Sequence, residues 1–500
     1  MYCIIAVLIA IIVSWYLRGF IKRGAPHITR TLTYDTNDIS PLIIGICTVF
    51  GLWLWGNGIT LPAYDEVFSA QNAAGIHPFQ CVSYYMLPNN HLFFNLVNSI
   101  LFHLADDKVA TGRIISLLAY CTLIIALFFW LKQFMANRWL ALLACITLAL
   151  QFPVWGFSFQ ARGYECYLLA QWGMVIALFS YLSTSHARWL FINALCSAIG
   201  YFCLPSFLYM HVAQLVFMLL YQFLYKRSLS ALWKAQLAAI LLAFLFYLPA
   251  LCFSGLQSII NNDYVASITV FKNAGVGAFL QWMFPALSPN IDHIFSNIHW
   301  NNIPFNLPLF LTPLLLLFDR KNKATQLFGL FWLCMWITFL LIAIIMRRLP
   351  FERNLIAQYS ISLAAVLLLA YRLATTILSK TKLPFKQVVF ATMLLLFSIH
   401  FISTNKASLK NTLYEIDVNA TYTTVVQGLS FIQPGNTAAF SDVAFYCYYI
   451  CSKKGVKTSK CPTGNEQYYI RQRDDQLPLL IADNYLLVNK FDQYEIYKHK

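Results

Sequence analysis

The sequence predicts a mainly α, polytopic membrane protein: about twelve transmembrane helices, outward amphipathic loops, and a small soluble α/β domain at the C-terminal end. Three observations carry that prediction. Hydrophobic residues make up 59% of the 500 residues and charged residues 11%, whereas a soluble domain holds roughly a quarter charged. Apolar runs of near-spanning length recur as far as residue 404. From about 405 the composition changes: the last segment carries eleven Lys/Arg and nine Asp/Glu, with strand-like runs TAAFSDVA, LPLLIADNYLLVN and YEIYKHK. The division expected is therefore 1–404, a multi-spanning domain, and 405–500, an extracytoplasmic soluble domain.

Spans are expected near 1–17, 42–58, 113–131, 139–157, 164–182, 189–205, 206–225, 235–254, 305–318, 325–346, 354–373 and 386–404. The first is read as a retained helix, because no basic stretch precedes it and no small-residue cleavage site comes before Arg18. Leu204-Pro205 marks a hairpin or kink between two spans. The net charge of +15 is a membrane signal, not a nucleic-acid one. One set of loops holds 17 Lys/Arg, among them Arg30, Lys132, Arg138, Arg227, Lys323 and Arg372, and the other set, tail excluded, holds seven. The positive-inside rule makes the first set cytoplasmic. Loops 59–112 and 255–304 and everything after about 405 then face outward.

Both long outward loops carry amphipathic stretches. HLFFNLVNSILFHL, beginning at His91, is too short to span and is expected to lie along the membrane surface. The thirteen Cys fall mostly in apolar runs and form no CxxC pair. Cys447, Cys451 and Cys461 lie in the outward tail, where one disulfide is possible and the sequence does not choose the pair.

The chemistry-bearing residues gather on the outward side. Asp65 and Glu66 follow directly after the 42–58 span. A carboxylate pair at a membrane boundary costs desolvation energy and needs a reason, and a loop carboxylate can serve as general base toward an acceptor hydroxyl. Arg347, Arg348 and Arg353 crowd the turn MRRLPFERN, and Arg162 lies in FSFQARGYECY. These are outward arginines where basic residues are sparse, and guanidinium forks match phosphate oxygens. Glu352 and Glu165 are candidate salt-bridge partners for them. His91, in the turn Pro-Asn-Asn-His with Asn90, is a candidate substrate contact. His77, His103, Asp106 and Asp107 read as loop residues, and Asp292 with His293 is a weak acceptor or metal signal.

This arrangement resembles the GT-C superfamily of polyprenyl-phosphate-sugar glycosyltransferases, the group that includes protein O-mannosyltransferases and lipid A aminoarabinose transferases. The resemblance covers roughly residues 40–370 and rests on short motifs in a fixed order. Asp65 stands at the first-loop catalytic carboxylate and Glu66 at the acid that commonly follows. His91 stands at the His of a His-Pro-Pro turn, here without the prolines. Gln160-Ala161-Arg162-Gly163-Tyr164 matches an element usually written Glu-Ala-Arg-x-Tyr, with Gln in place of the acid, and Arg353 matches the late arginine that meets the lipid phosphate. The resemblance implies Asp65 and Glu66 as catalytic residues; Arg353, Arg347, Arg348 and Arg162 on the donor phosphate; and His91, Asn90 and Tyr164 in support.

The expected activity is an inverting glycosyl transfer from a polyprenyl-phosphate-linked sugar to a lipid, glycan or protein acceptor, with Asp65 as base. The enzyme is expected in a bacterial cytoplasmic membrane with its site facing outward. Membrane lipids are expected partners and nucleic acid is not. No cofactor is firmly expected, and metal dependence stays open. A lipid-linked oligosaccharide ligase or polymerase is the alternative enzyme. A lipid or sugar transporter is disfavoured, because central charges are nearly absent from the helices.

Overall fold

Lipid offers a peptide group no hydrogen-bond partner, so a chain this apolar must satisfy its backbone within helices. The computed structural model describes residues 35–85, 90–101, 107–135, 137–260, 275–295, 299–300, 303–304, 306–319, 322–377, 383–411, 422–441, 444–460 and 462–500. Among the described residues, eight helices are long and apolar enough to cross a membrane: Thr36–Ile59, Lys108–Lys132, Tyr164–Thr184, Pro205–Tyr225, Ser230–Phe253, Lys323–Met346, Glu352–Thr376 and Phe385–Asn405. This is an integral membrane protein. The expected 139–157 span is a pair of helices, Arg138–Ala149 and Phe152–Ser158, bent by 75°. The expected 189–205 and 305–318 spans are the shorter apolar helices Ala187–Cys203 and Asn306–Phe318. The 1–17 segment lies outside the described residues. Twelve full spans are therefore not what the described residues show; bends and short helices take the place of some.

Local signals set the ends. Asp107 caps the Lys108–Lys132 helix, accepting from the Val109 and Ala110 amides at 3.0 and 3.2 Å. Asn137 and Asn322 cap the helices that follow them. The Lys323–Met346 helix stops at Arg347, whose φ of 51° places it in the left-handed region. Glu352–Thr376 and Tyr164–Thr184 are the inner helices, and Thr36–Ile59, Ser230–Phe253 and Phe385–Asn405 turn most of their surface to lipid.

The two ends of the bundle differ. At one end buried Asp38 meets Lys132 and Arg138, and Asp319 meets Arg372 at 2.6 Å. The other end holds Asp65, Asp107, Arg162 and Arg353. The Leu92–Leu101 helix lies at this end, but it turns a polar face inward. Asn98 donates to the Lys108 carbonyl and Ser99 to the Ile76 carbonyl, so it is anchored by hydrogen bonds rather than by apolar burial alone.

The C-terminal segment forms a five-stranded sheet in the order Lys457–Ser459, Thr437–Phe440, Tyr468–Gln472, Tyr494–His499, Tyr485–Phe491. The first three strands are parallel and the last two pairings antiparallel. Cys447 and Cys451 are buried free thiols one helical turn apart, and Cys461 lies outside the described residues. Glu495 sits between Arg471 and Lys490 of the flanking strands, at 2.7 and 3.0 Å. Burial pushes its carboxyl up, but hydrogen bonds from Tyr497, Lys490 and Arg471 outweigh that and take it from 4.5 to about 2. A folded-state value below the unfolded one stabilises fully above pH 4.5 and is lost as pH falls toward 2. Glu495→Gln is therefore expected to flatten the acid dependence of sheet stability in that window, read by amide hydrogen exchange in residues 437–499.

Candidate active site

The site is built on a short helix. Pro62 and Ala63 leave the first described span in extended conformation, and Tyr64–Ser69 starts with Asp65 and Glu66 in its first turn. The two adjacent acids take opposite fates. Glu66 is 1% exposed. Its carboxylate accepts from the Ala63 amide at 2.8 Å, closing the helix start. It accepts from the Ala161 amide at 2.6 Å, and from Arg113 Nε and Nη2 at 3.0 and 2.9 Å. Arg113 also donates to Asn57 and to the Thr60 and Leu61 carbonyls. One buried carboxylate thus ties together the 39–59 span, the 60–63 linker, the 64–69 helix, the 108–132 span and the 160–163 turn.

That tie also sets Asp65 beside Arg162. Ala161 precedes Arg162 and Glu66 follows Asp65, so joining 66 to 161 brings 65 against 162. Arg162 Nη1 donates to the Asp65 carbonyl at 3.2 Å and to Ser69 Oγ at 3.1 Å. Its Nη2 stands 3.7 Å from Asp65 Oδ2. Arg353 Nη1 approaches the same oxygen at 3.5 Å. Asp65 and Arg353 are partly exposed, at 37% and 32%, while Arg162 is sunk to 3%. The structure therefore brings Asp65, Arg162 and Arg353 to one place.

The remaining predicted residues frame that place. Arg347 and Arg348 end the Lys323–Met346 helix, before the turn that carries Arg353, and Arg348 Nε is buried without a hydrogen-bond partner. His91 is 1% exposed, meets the Tyr164 ring edge-on at 4.7 Å, and has no hydrogen-bond partner on either ring nitrogen. Burial, with Arg162 and Arg353 nearby, holds His91 well below its usual value, so it is neutral. Tyr164 packs on Phe157 at 4.4 Å, with the Arg162 guanidinium 5.6 Å from its ring centre. Asn90 clasps the turn, donating to the Cys81 and Tyr84 carbonyls and accepting from Asn95. Glycines permit the close approaches. A Cβ at Gly163 would meet His91 at 2.9 Å, and one at Gly112 would meet the Ala161 Cβ at 2.7 Å.

Several expectations need correction. Glu165 does not pair with an arginine: it is fully buried and neither oxygen has a hydrogen-bond partner. Asp107 is no solvating loop acid, since besides capping its helix it pairs with Lys453 at 2.6 Å. His77 accepts from the Phe79 amide at a helix start. Asp292 accepts from Asn306. Among the described residues no group of three or more His, Cys, Asp or Glu is placed to hold a metal.

Two features escaped the sequence reading. Arg113 was legible: a guanidinium in the apolar run VATGRIISLL needs a buried partner. The other is the C-terminal helix Phe445–Lys453, which lies against the Asp65 helix. Phe445 packs on Tyr64 at 4.7 Å and Phe68 at 5.1 Å. Tyr446 donates its hydroxyl to the Pro62 carbonyl at 3.0 Å, and Lys460 donates to the Gln71 carbonyl. Phe445→Ala, which removes a buried ring and costs up to about 3–5 kcal/mol, is expected to speed hydrogen exchange at the amides of 65–69. Phe445→Leu should stay near the parent rate.

No protein-family model and no curated protein matches this chain. Solved structures do. ArnT from Cupriavidus metallidurans bound to undecaprenyl phosphate aligns with TM-score 0.50 and 11% identity, over 91% of this chain and 97% of that one. The archaeal oligosaccharyltransferase AglB from Archaeoglobus fulgidus, in complex with an inhibitory peptide and a dolichol-phosphate, aligns at 0.48 and 11%, over 88% and 70%. The protein O-mannosyltransferase Pmt1-Pmt2 complex of S. cerevisiae, bound to the sugar donor, aligns at 0.36 and 12%, over 47% and 36%. At 11% identity the likeness to the first of these is one of fold: the chain shares its membrane fold.

Proposed function

We propose that this protein is an inverting glycosyltransferase that moves a sugar from a polyprenyl-phosphate donor to an acceptor at the outer face of the membrane. The observation that carries the reading is the convergence of Asp65 with Arg162 and Arg353 at one end of a lipid-embedded bundle. A sugar phosphate anchored by a prenol presents its reacting bond at that boundary. The fold is shared with an enzyme solved with undecaprenyl phosphate.

In this reading the donor phosphate meets the guanidinium groups of Arg353 and Arg162, with Arg347 and Arg348 extending the cationic surface from the neighbouring helix end. The acceptor hydroxyl attacks the anomeric carbon and gives its proton to the Asp65 carboxylate. The bond from that carbon to the phosphate oxygen breaks. The oxygen leaves with the bonding pair as polyprenyl phosphate, its charge met by the arginines. One displacement inverts the anomeric centre. Glu66 makes no step of its own: all its contacts serve to hold Asp65 opposite Arg162. Neutral His91 packs edge-on against Tyr164 beside Arg162, and Asn90 holds the turn before His91. No step is routed through a metal.

The test is mass spectrometry of lipid-linked sugars and surface glycans in cells lacking the gene. A polyprenyl-phosphate monosaccharide should accumulate while one glycan or lipid loses a sugar. Unchanged pools of both would overturn the reading.

A further inference from the structure

A cavity of 290 Å³ has Arg113 in its wall but not Asp65. Its lower wall comes from two spans, through Trp53, Asn57 and Ile114. Ile114 and Leu118, one turn apart, are 49% and 59% exposed on the outer face of the bundle, and exposed Phe50 stacks on Trp53 at 6.1 Å. The cavity therefore sits at the top of a lipid-facing strip. Its upper wall is Tyr449 and Lys453 of the C-terminal helix.

The charges in this wall are already matched. Lys453 pairs with Asp107 at 2.6 Å. Arg113 directs its N–H groups to Glu66, Asn57 and the Thr60 and Leu61 carbonyls. A phosphate entering here would lose water without gaining an unmatched cation. A neutral hydroxylated head suffers no such loss. Trp53 and Tyr449 contribute aromatic rings to the wall, and Trp53 Nε1, on a side chain 9% exposed, is buried with no hydrogen-bond partner, a donor that a hydroxyl oxygen can satisfy.

We propose that this cavity seats the uncharged, hydroxyl-rich head of a membrane lipid, and that this lipid is the acceptor. Pro62, three residues before Asp65, forms part of the wall, so the head would lie along the segment that carries the base. The acceptor role rests on the transfer reading; binding of the head does not.

The test uses the full-length protein in nanodiscs holding equal amounts of dioleoyl monoglucosyl glycerol and dioleoyl phosphatidylglycerol, with native mass spectrometry of retained lipid. The glucolipid should be retained at least about fivefold over phosphatidylglycerol. Ala110→Trp, at the exposed rim, should reduce that retention about fivefold or more by filling the mouth. Trp53→Phe keeps an aromatic side chain but removes the Nε1 donor and the second ring of the indole; it should reduce retention by at least about threefold, the lower end for one lost hydrogen bond. Equal retention of the two lipids, or retention unchanged in Trp53→Phe, overturns the proposal. Asp65→Asn should bind glucolipid normally, so loss of transfer with binding intact separates this site from the catalytic reading.

Discussion

Asp65→Asn is expected to abolish sugar transfer in the purified, reconstituted protein while leaving its melting curve almost unmoved. The substitution keeps the shape of the side chain and removes its ability to take a proton. General-base catalysis contributes about 10²–10⁴-fold, so residual transfer should fall at least that far. Little stability is at stake. The ion pairs from Asp65 to Arg162 and Arg353 are long, at 3.7 and 3.5 Å, and the carboxylate is 37% exposed. Pairs of that kind are worth about 0–1 kcal/mol. Arg162 also keeps its bonds to the Asp65 carbonyl and Ser69. Transfer at the parental rate by this variant would overturn the assignment of Asp65.

Its neighbour should behave in the opposite way. Glu66→Gln leaves the Arg113 guanidinium buried, at 8% side-chain exposure, without its counter-charge. Breaking a buried pair from one side costs about 3–5 kcal/mol, which should show as a clear drop in melting temperature. The turn before Arg162 loses the charged acceptor of the Ala161 amide, so transfer should fall as well. The double variant Glu66→Gln, Arg113→Gln removes both charges and should recover much of the stability; the double-mutant cycle gives the coupling. If Glu66→Gln melts like the parent, the buried pair is not what holds this end of the bundle together.

The pair Asp65–Glu66 shows where sequence reading stops. Both acids were visible as an unusual charge at a membrane boundary, and nothing in their order separates a partly exposed group from a buried one. The separation comes from helix geometry. Adjacent residues on a helix point about 100° apart, so one faces the open end and the other faces the 108–132 span. Arg162 and Arg353 were likewise visible as outward arginines against the charge bias. That they meet at one carboxylate oxygen depends on contacts between segments about one hundred and about three hundred residues apart. Asp107 and the C-terminal helix were misread or unread for the same reason: their partners, Lys453, Tyr64 and Phe68, are distant in sequence.

The sequence by itself determined the apolar surroundings of this protein, its helical class, the strand-bearing C-terminal segment and the common end of the bundle on which Asp65, Arg162 and Arg353 fall. Hydropathy and charge bias are sums over many residues and survive without coordinates. The tertiary structure alone decided which spans are bent or short, that Glu66 is buried while Asp65 is partly exposed, and that the C-terminal helix packs against the Asp65 helix. Each of those turns on a single close approach, such as Ala161 against Gly112 or Phe445 against Tyr64, and a close approach is a property of two segments that neither one encodes alone.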